Sequence, residues 1–332
     1  MHFVLLRLVL LAGAALLLIA CVAPVTAPAA STEMDTSSST TLKAIKVDAV
    51  SLDPAAEFWA NAPALTVPTV GTTEEAPDGP PVTMWAAYDA QNIAMRFEWE
   101  DATESMMKNA WTWDGAGFTK SGDEDRLQLI FAIENNPEFS SKGCAALCHN
   151  MDPDESKWFM GSEDPALRFD VIHWKAARTD PYGQADDQWI GVRTDPTAES
   201  GRVSDAKESG GYKDNVNEAG DGPAVMHGSD PAAAFIMAGE EVPVDTGALT
   251  VGQVIPGFTL SPFVGSRGDQ TVQATWSDGK WVVVVMRALD TGHDDDVVFT
   301  PPKAYPFGLS ITDNGGGTDH TNAPDVLTLA WE

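Results

Sequence analysis

Basic residues are scarce in this chain: 20 lysines and arginines stand against 49 aspartates and glutamates, for a formal net charge of −29. Such a surface repels a phosphate backbone, which excludes a general nucleic-acid binder. It also keeps the folded part off an anionic bilayer surface. Hydrolase and nucleotide signatures are missing: there is no G-x-S-x-G, no H-E-x-x-H and no glycine-rich phosphate loop after a strand. Carboxylates are too numerous for closeness in sequence to mark a catalytic pair. No long segment carries a helical period, and no repeat of fixed length is present. Cysteine is rare, with three in 332 residues. Tyrosine is rare too, four against eleven tryptophans. Most of those indoles read as core of a β-structure, a few as the lining of a pocket.

What is there begins with a targeting segment. Arg7 and the apolar run from Leu8 to Ala20 are too short for a comfortable membrane span. They end in Leu18-Ile19-Ala20-Cys21, which resembles a bacterial lipoprotein box and makes Cys21 the acylated first residue of the mature chain. Residues 1–20 are thus read as a lipoprotein signal peptide and residues 21–41, rich in Pro, Ala, Ser and Thr, as a flexible tether. The expected location is extracytoplasmic, held to the membrane through lipid only. A plain signal peptide cleaved nearby is the alternative. Outside the cytoplasm, the remaining two cysteines are expected to be oxidised together or consumed by a cofactor.

From residue 42 to 332 the chain reads as one antiparallel β-sandwich with long loop insertions, an all-β fold. Ile93, Met95, Phe97 and Trp99 alternate with Ala94, Arg96, Glu98 and Glu100, and Leu127, Leu129, Phe131 and Ile133 repeat the period. Further strands are expected at 42–50, 82–88, 168–175, 271–276, 280–289, 297–300, 307–312 and 326–331, with a helical turn at 53–62. Between Thr194 and Pro262, Gly, Asp, Ser and Pro dominate, and the stretch reads as an insertion with little to bury. The acidic pairs Asp186-Asp187 and Asp294-Asp295-Asp296 offer oxygen ligands for Ca²⁺. Without EF-hand spacing they read as solvated loops. His227 and His293 read as surface residues.

The stretch Lys142–Asn150, KGCAALCHN, carries the chemistry. Haem attachment uses C-x-x-C-H, two thiols for the vinyl groups and an imidazole for iron. Here Cys144, Cys148 and His149 keep the order with one extra residue between the thiols. The competing reading is a Cys144–Cys148 disulfide closing a small ring. Zinc is weaker, because no second Cys/His pair follows at finger spacing. Downstream, His173 and Lys175 share one face of a strand and Trp174 takes the other. Lys175, Arg178 and Arg287 are candidates for a haem propionate, each with ion pairing to a carboxylate as the plainer reading.

Several segments together resemble a known family: FEWED (97–101), EDRLQLIF (124–131), GCAALCH (143–149), FMGS (159–162), IHWKAARTDPYGQADDQW (172–189), RALDTGHDDDVVF (287–299) and YPFGLSI (305–311). Their order is similar to the haem-binding domain of the ethylbenzene dehydrogenase γ subunit and related cytochrome c-552/DMSO-reductase-type proteins. The resemblance implies a haem-carrying β-sandwich that passes electrons and does no substrate chemistry of its own. A redox partner protein, such as a molybdenum oxidoreductase or a respiratory-chain component, follows from it. The dehydrogenase γ subunits hold a b-type haem between Met and Lys. Met160 matches the methionine, but no lysine follows Lys303, and His320 stands in the region where the second ligand is sought. The expected axial pair is therefore His320 across from His149 or Met160, with His149 preferred if the thioethers form. The haem is expected to be c-type through this variant motif, or b-type. The alternative function is a ligand- or carbohydrate-binding sandwich without redox chemistry.

Overall fold

The computed structural model describes residues 40–72, 76–147, 160–162, 164, 166–192, 201–316 and 319–332. The first four strands are β1 (Thr41–Lys46), β2 (Leu65–Gly71), β3 (Gly79–Tyr88) and β4 (Asn92–Glu100). A hairpin of β5 (Ala110–Trp113) and β6 (Phe118–Ser121) leads into β7 (Glu124–Ala132), helix α1 (Pro137–Lys142), β8 (Phe169–Lys175) and β9 (Asp186–Ile190). Short strands follow: β10 (Arg202–Ser204), β11 (Ser209–Asp214), β12 (Val225–His227), β13 (Glu241–Pro243), β14 (Val254–Ile255) and β15 (Phe258–Val264). The chain closes with β16 (Thr271–Ser277), β17 (Lys280–Ala288), β18 (Tyr305–Gly315), β19 (Thr321–Asn322) and β20 (Leu327–Trp331).

The main sheet runs β10-β9-β8-β7-β18-β19-β2-β3-β4-β17-β16 and folds back on itself. Its inner faces meet because alternate residues of the two halves are apolar. Leu127, Leu129 and Phe131 of β7 and Ile172 and Trp174 of β8 bury against Met84, Met95, Phe97, Trp99, Trp281 and Val283. Trp174 meets Trp281 edge-on with ring centroids 4.9 Å apart, which locks the halves together near the centre. The all-β sandwich is thus the fold. Pairing is antiparallel except at β1, which lies parallel to both β3 and β20 and closes one side. None of the described tryptophan, tyrosine or phenylalanine rings is exposed.

Two expectations need correction. Residues 297–300 form no strand, although Val297 and Phe299 are buried. Side chains have taken the backbone groups a ladder would use: Val297 N–H donates to Asp170 Oδ2, and its carbonyl accepts from Arg287 Nη2. The 194–262 stretch is also more than loops. It supplies β10 to β15 and a satellite core of Met226, Ile236 and Ile255 around Trp111. The organiser there is a polar residue. Buried Asn215 accepts from the Ala224 and Val225 amides and donates to the Val225 and Pro256 carbonyls. Apolar periodicity could not reveal it.

Candidate functional site

Strands β7, β8 and β9 turn one face to the Trp174 core, and the other face is covered as well. On that second face stand Arg126, Gln128, Ile130 and Ala132 of β7, then Phe169, Val171, His173 and Lys175 of β8. Asp186, Gln188 and Ile190 of β9 complete it, since alternate residues share a face. One end is apolar. Ile130, Ala132, Phe169, Val171 and Ile190 pack with Phe139 and Leu147, and half-buried Cys144, Met160 and Leu167 lie against them. The cover starts from a capped helix: Asn136 Oδ1 accepts from the Glu138 and Phe139 amides at 2.9 and 3.1 Å. That sets Phe139 over Phe169, with ring centroids 5.1 Å apart.

Cys144 sits on β18 at Gly308, the position paired with Ile130. A Cβ at Gly308 would lie 2.1 Å from the Cys144 sulfur, so only glycine leaves room for the cysteine there. His320, half-buried, directly precedes β19, whose Thr321 pairs with Ile311. Ile311 is three residues along β18 from Gly308, about 10 Å of strand. Cys144 and Met160 thus lie against the covered face, and His320 stands beside β18 on the side away from β7. Cys21, Cys148 and His149, together with the leader and nearly all of the tether, lie outside the described residues.

The other end of the face is cationic. Lys175 pairs with Asp186 and lies 3.0 Å from Tyr212 Oη. Arg267 holds the same carboxylate through Nε at 2.5 Å and Nη2 at 3.0 Å. Arg178 grips buried Glu124 through Nε at 2.8 Å and lies over the Tyr212 ring. The ion-pair reading of Lys175 and Arg178 therefore holds. Burial works against the Asp186 charge, but Lys175 and Arg267 outweigh it and hold this carboxyl below the usual carboxylate range. Burial pulls Lys175 down to about 7, opposed by Asp186. Arg287, the third propionate candidate, is on the far side of the sheet, paired with Asp170. The alternation of β8 separates them, because Asp170 and Lys175 face opposite ways.

His173 lies between the apolar and cationic ends, a residue the sequence offered but did not single out. It is 2% exposed. Burial, then Lys175, Arg202, Arg126 and Arg178, lower its pKa well below the ordinary value, so the ring is neutral. Gln188 donates to Ser204 Oγ through its amide nitrogen, leaving Oε1 to accept from His173 Nδ1 at 3.2 Å. The lone pair is then on Nε2, which is buried without a hydrogen-bond partner. Its only sequence signal was a shared face with Lys175.

The acidic pairs also depart from expectation. Asp186, Asp187 and Asp296 are buried, not solvated. Asp187 faces inward with Asp170, where Asp296 joins them, whereas Asp294 is exposed, as expected, and Asp295 is half-buried. His293 is exposed, as expected; His227 is half-buried, with Nε2 3.3 Å from Glu240.

A family profile described as "Ethylbenzene dehydrogenase" matches residues 56–323, most of the chain. This chain belongs to that family. No curated protein matches it. Among solved structures, a protein from Bacteroides uniformis whose description proposes carbohydrate binding aligns with 88% of this chain and 99% of its own. The TM-score is 0.39 at 11% identity. A family 9 carbohydrate binding module from Caldicellulosiruptor kristjanssonii, in complex with glucose, aligns with 88% of this chain and 95% of its own, at 0.35 and 6%. Likeness at that level is too weak to bear on function.

Proposed function

We propose that this member of the ethylbenzene dehydrogenase family is an extracytoplasmic, lipid-anchored haem protein that carries electrons and does no substrate chemistry. The observation that carries the reading is the covered face of β7–β9. It grades from an apolar cluster bearing Cys144 and Met160, through a neutral imidazole with an orphaned Nε2, to a patch of buried cations. That gradient suits a flat apolar macrocycle with an iron centre and two carboxylate arms. Haem, when bound, supplies a one-electron couple; the protein sets its potential through ligand identity and burial.

The chain's own residues do the rest. Among the described residues Met160, His320 and His173 are the candidate iron donors; His149, the other candidate, lies outside them. Arg126 and Arg202 join Lys175 and Arg178 in setting a positive field at the cationic end. Cys144, with Cys148, gives covalent attachment if thioethers form; otherwise the haem is b-type. A redox protein, such as a molybdenum oxidoreductase or a respiratory-chain component, is the expected partner. A sugar-binding module would present aromatic rings to solvent; the described rings are buried or half-buried, Trp85, Trp113 and Trp331 among the half-buried.

The test is the absorption spectrum of the full chain purified from a haem-competent host. A Soret band that shifts on adding dithionite is expected. Haem stain retained on a denaturing gel then distinguishes covalent from b-type binding. Alanine variants of His149, Met160, His173 and His320, read by electron paramagnetic resonance, assign the ligands. A colourless protein would overturn the proposal and favour a binding module with a Cys144–Cys148 disulfide.

A further inference from the structure

On the side of β8 and β9 away from the haem face, carboxylates crowd together. Oxygen atoms of Asp170, Asp187 and Asp296 lie within 4.8 Å of one another, and those of Asp205, Asp295 and Asp296 do likewise. The trios share Asp296. Asp269 borders both, beside Asp187 and within the field of Asp296. The six acids face one buried cation, Arg287, which pairs with Asp170 and lies 3.6 Å from Asp296. Exposed His293 reaches only Asp269, at 4.0 Å.

Crowding alone would not make a site, but the oxygens are also unused. Asp170 and Asp296 each spend one oxygen on neighbours, Arg287 and Val297 N–H for the first and the Thr291 hydroxyl for the second. Ser266 reaches one oxygen of Asp205 at 3.3 Å. The second oxygen of each, and both oxygens of Asp187 and Asp269, have no hydrogen-bond partner although they are buried. Asp187 is 0% exposed, so its whole carboxyl is sealed from water, and Arg287, already paired with Asp170, is the cation whose field reaches it. Burying one such charge is costly, and several together are sustained only by protons or by a cation. Another trio, Asp101, Asp125 and Asp313, differs. Asp125 there is satisfied by Ser105 N–H, Asn314 N–H and Trp281 Nε1, and Asp313 is exposed.

We propose that Asp170, Asp187, Asp205, Asp269, Asp295 and Asp296 form a calcium site. All the donors are oxygens, which excludes a soft metal. Ca²⁺ takes six to eight oxygens in flexible geometry, whereas Mg²⁺ demands an octahedron and keeps several waters, for which a sealed Asp187 leaves little access. The ligands come from β8, β9, the residue after β10, the turn before β16 and the loop after β17. These belong to both halves of the sandwich, where Ala185 N–H already donates to the Gln270 carbonyl. The ion would fasten the open side of the sandwich, opposite the side closed by β1 and β20. Without the ion, burial and mutual repulsion keep protons on the cluster: Asp205 is pushed up to about 8, Asp170 to about 6 and Asp187 well above its ordinary range. Calcium binding should therefore release protons at neutral pH. The inference is independent of the haem reading.

The experiment uses the full chain stripped with a chelator. Ca²⁺ at about a hundredfold over its dissociation constant should raise the melting temperature by at least about 5 °C, and equimolar Mg²⁺ far less. Titration calorimetry in buffers of different ionisation heat should show the proton release. Asp187→Asn replaces a carboxyl that must hold a proton in the ion-free fold by an amide of the same shape that needs none. It should melt higher than the native chain in calcium-free buffer and lose most of the calcium shift. Asp205→Asn should also lose the shift, and serves if the first variant fails to fold. A stripped native chain that responds to neither ion, or equally to both, would overturn the proposal. So would an Asp187→Asn variant that keeps the full shift.

Discussion

Gly308→Ala tests the seating of the cysteine segment on the sheet. The new methyl would lie 2.1 Å from the Cys144 sulfur, whereas ordinary contact begins at 3.4 Å, so about 1.3 Å of separation must be found. The strand cannot supply it easily. β18 is paired with β7 from Phe307 to Thr312, and its first residues are also paired with β20. Only the sulfur clashes, the Cys144 Cβ and N standing 3.6 Å off, so either it leaves its rotamer or the cysteine segment withdraws and carries Leu147 with it, because the Leu147 amide donates to the Cys144 carbonyl at 2.9 Å. Leu147 is 4% exposed and belongs to the apolar end of the covered face. Overpacking of this kind costs ~1–3 kcal/mol. In a chain of this size that lowers the melting temperature by roughly 2–6 °C. Urea unfolding followed by tryptophan fluorescence reads the loss, with Gly117→Ala as control, because a Cβ there meets nothing within 4 Å. If haem is present, its Soret maximum should move as well. A Gly308→Ala midpoint equal to that of the native chain and the control would refute the seating.

Two further outcomes are expected. Asp180 accepts a hydrogen bond from Trp174 Nε1 at 2.9 Å, and burial, with Glu104 adding to it, raises its carboxyl to about 6. The folded state then holds this proton more tightly than the unfolded one, so stability falls as pH rises from about 4 to about 6 and the deficit persists above. Asp180→Asn keeps an acceptor and removes the charge; it should exceed the native chain by up to ~3 kcal/mol at pH 8, with the gap narrowing toward pH 4.5. Urea midpoints at both pH values check this, and a gap independent of pH would contradict it. For the lipid anchor, Cys21→Ser should shift the protein from the membrane to the soluble fraction and lower its mass by the acyl groups. Unchanged fractionation and mass would end that reading.

The sandwich was legible wherever one strand face met the core and the other met a polar environment. Ile93, Met95, Phe97 and Trp99 announce β4 because Arg96 and Glu98 between them are only half-buried and Glu100 is exposed. On β7 and β8 the same rule was incomplete. Arg126, Gln128, His173 and Lys175 read as a wet face, yet all but half-buried Gln128 are buried. Their cover comes from α1, Leu147 and Met160 at one end and from Tyr212 and Arg267 at the other, residues up to 141 positions from Arg126 that no local window contains. Cys144 was singled out by its residue type and spacing and Met160 by the family resemblance, and both lie against this face. His173 was passed over because its significance lies in what fails to meet its Nε2.

Asp186 and Asp187 show how closely opposite environments can be set. They are neighbours on β9, and the pleat sends one carboxylate to each side of the sheet. Asp186 enters the cationic patch, where Lys175, Arg267 and Tyr212 hold it charged. Asp187 enters the acidic cluster, where Asp170, Asp296 and Asp205 favour its protonated form. A slip of one residue that put Asp186 in the place of Asp187 would bring Ala185 opposite Lys175 and Arg267 and leave both cations unpaired; the opposite slip would put Gln188 among the acids. Electrostatics therefore fixes the register of this edge in a way that its few apolar side chains could not. The same register keeps the face proposed for haem and the acidic cluster proposed for calcium apart on opposite sides of one sheet.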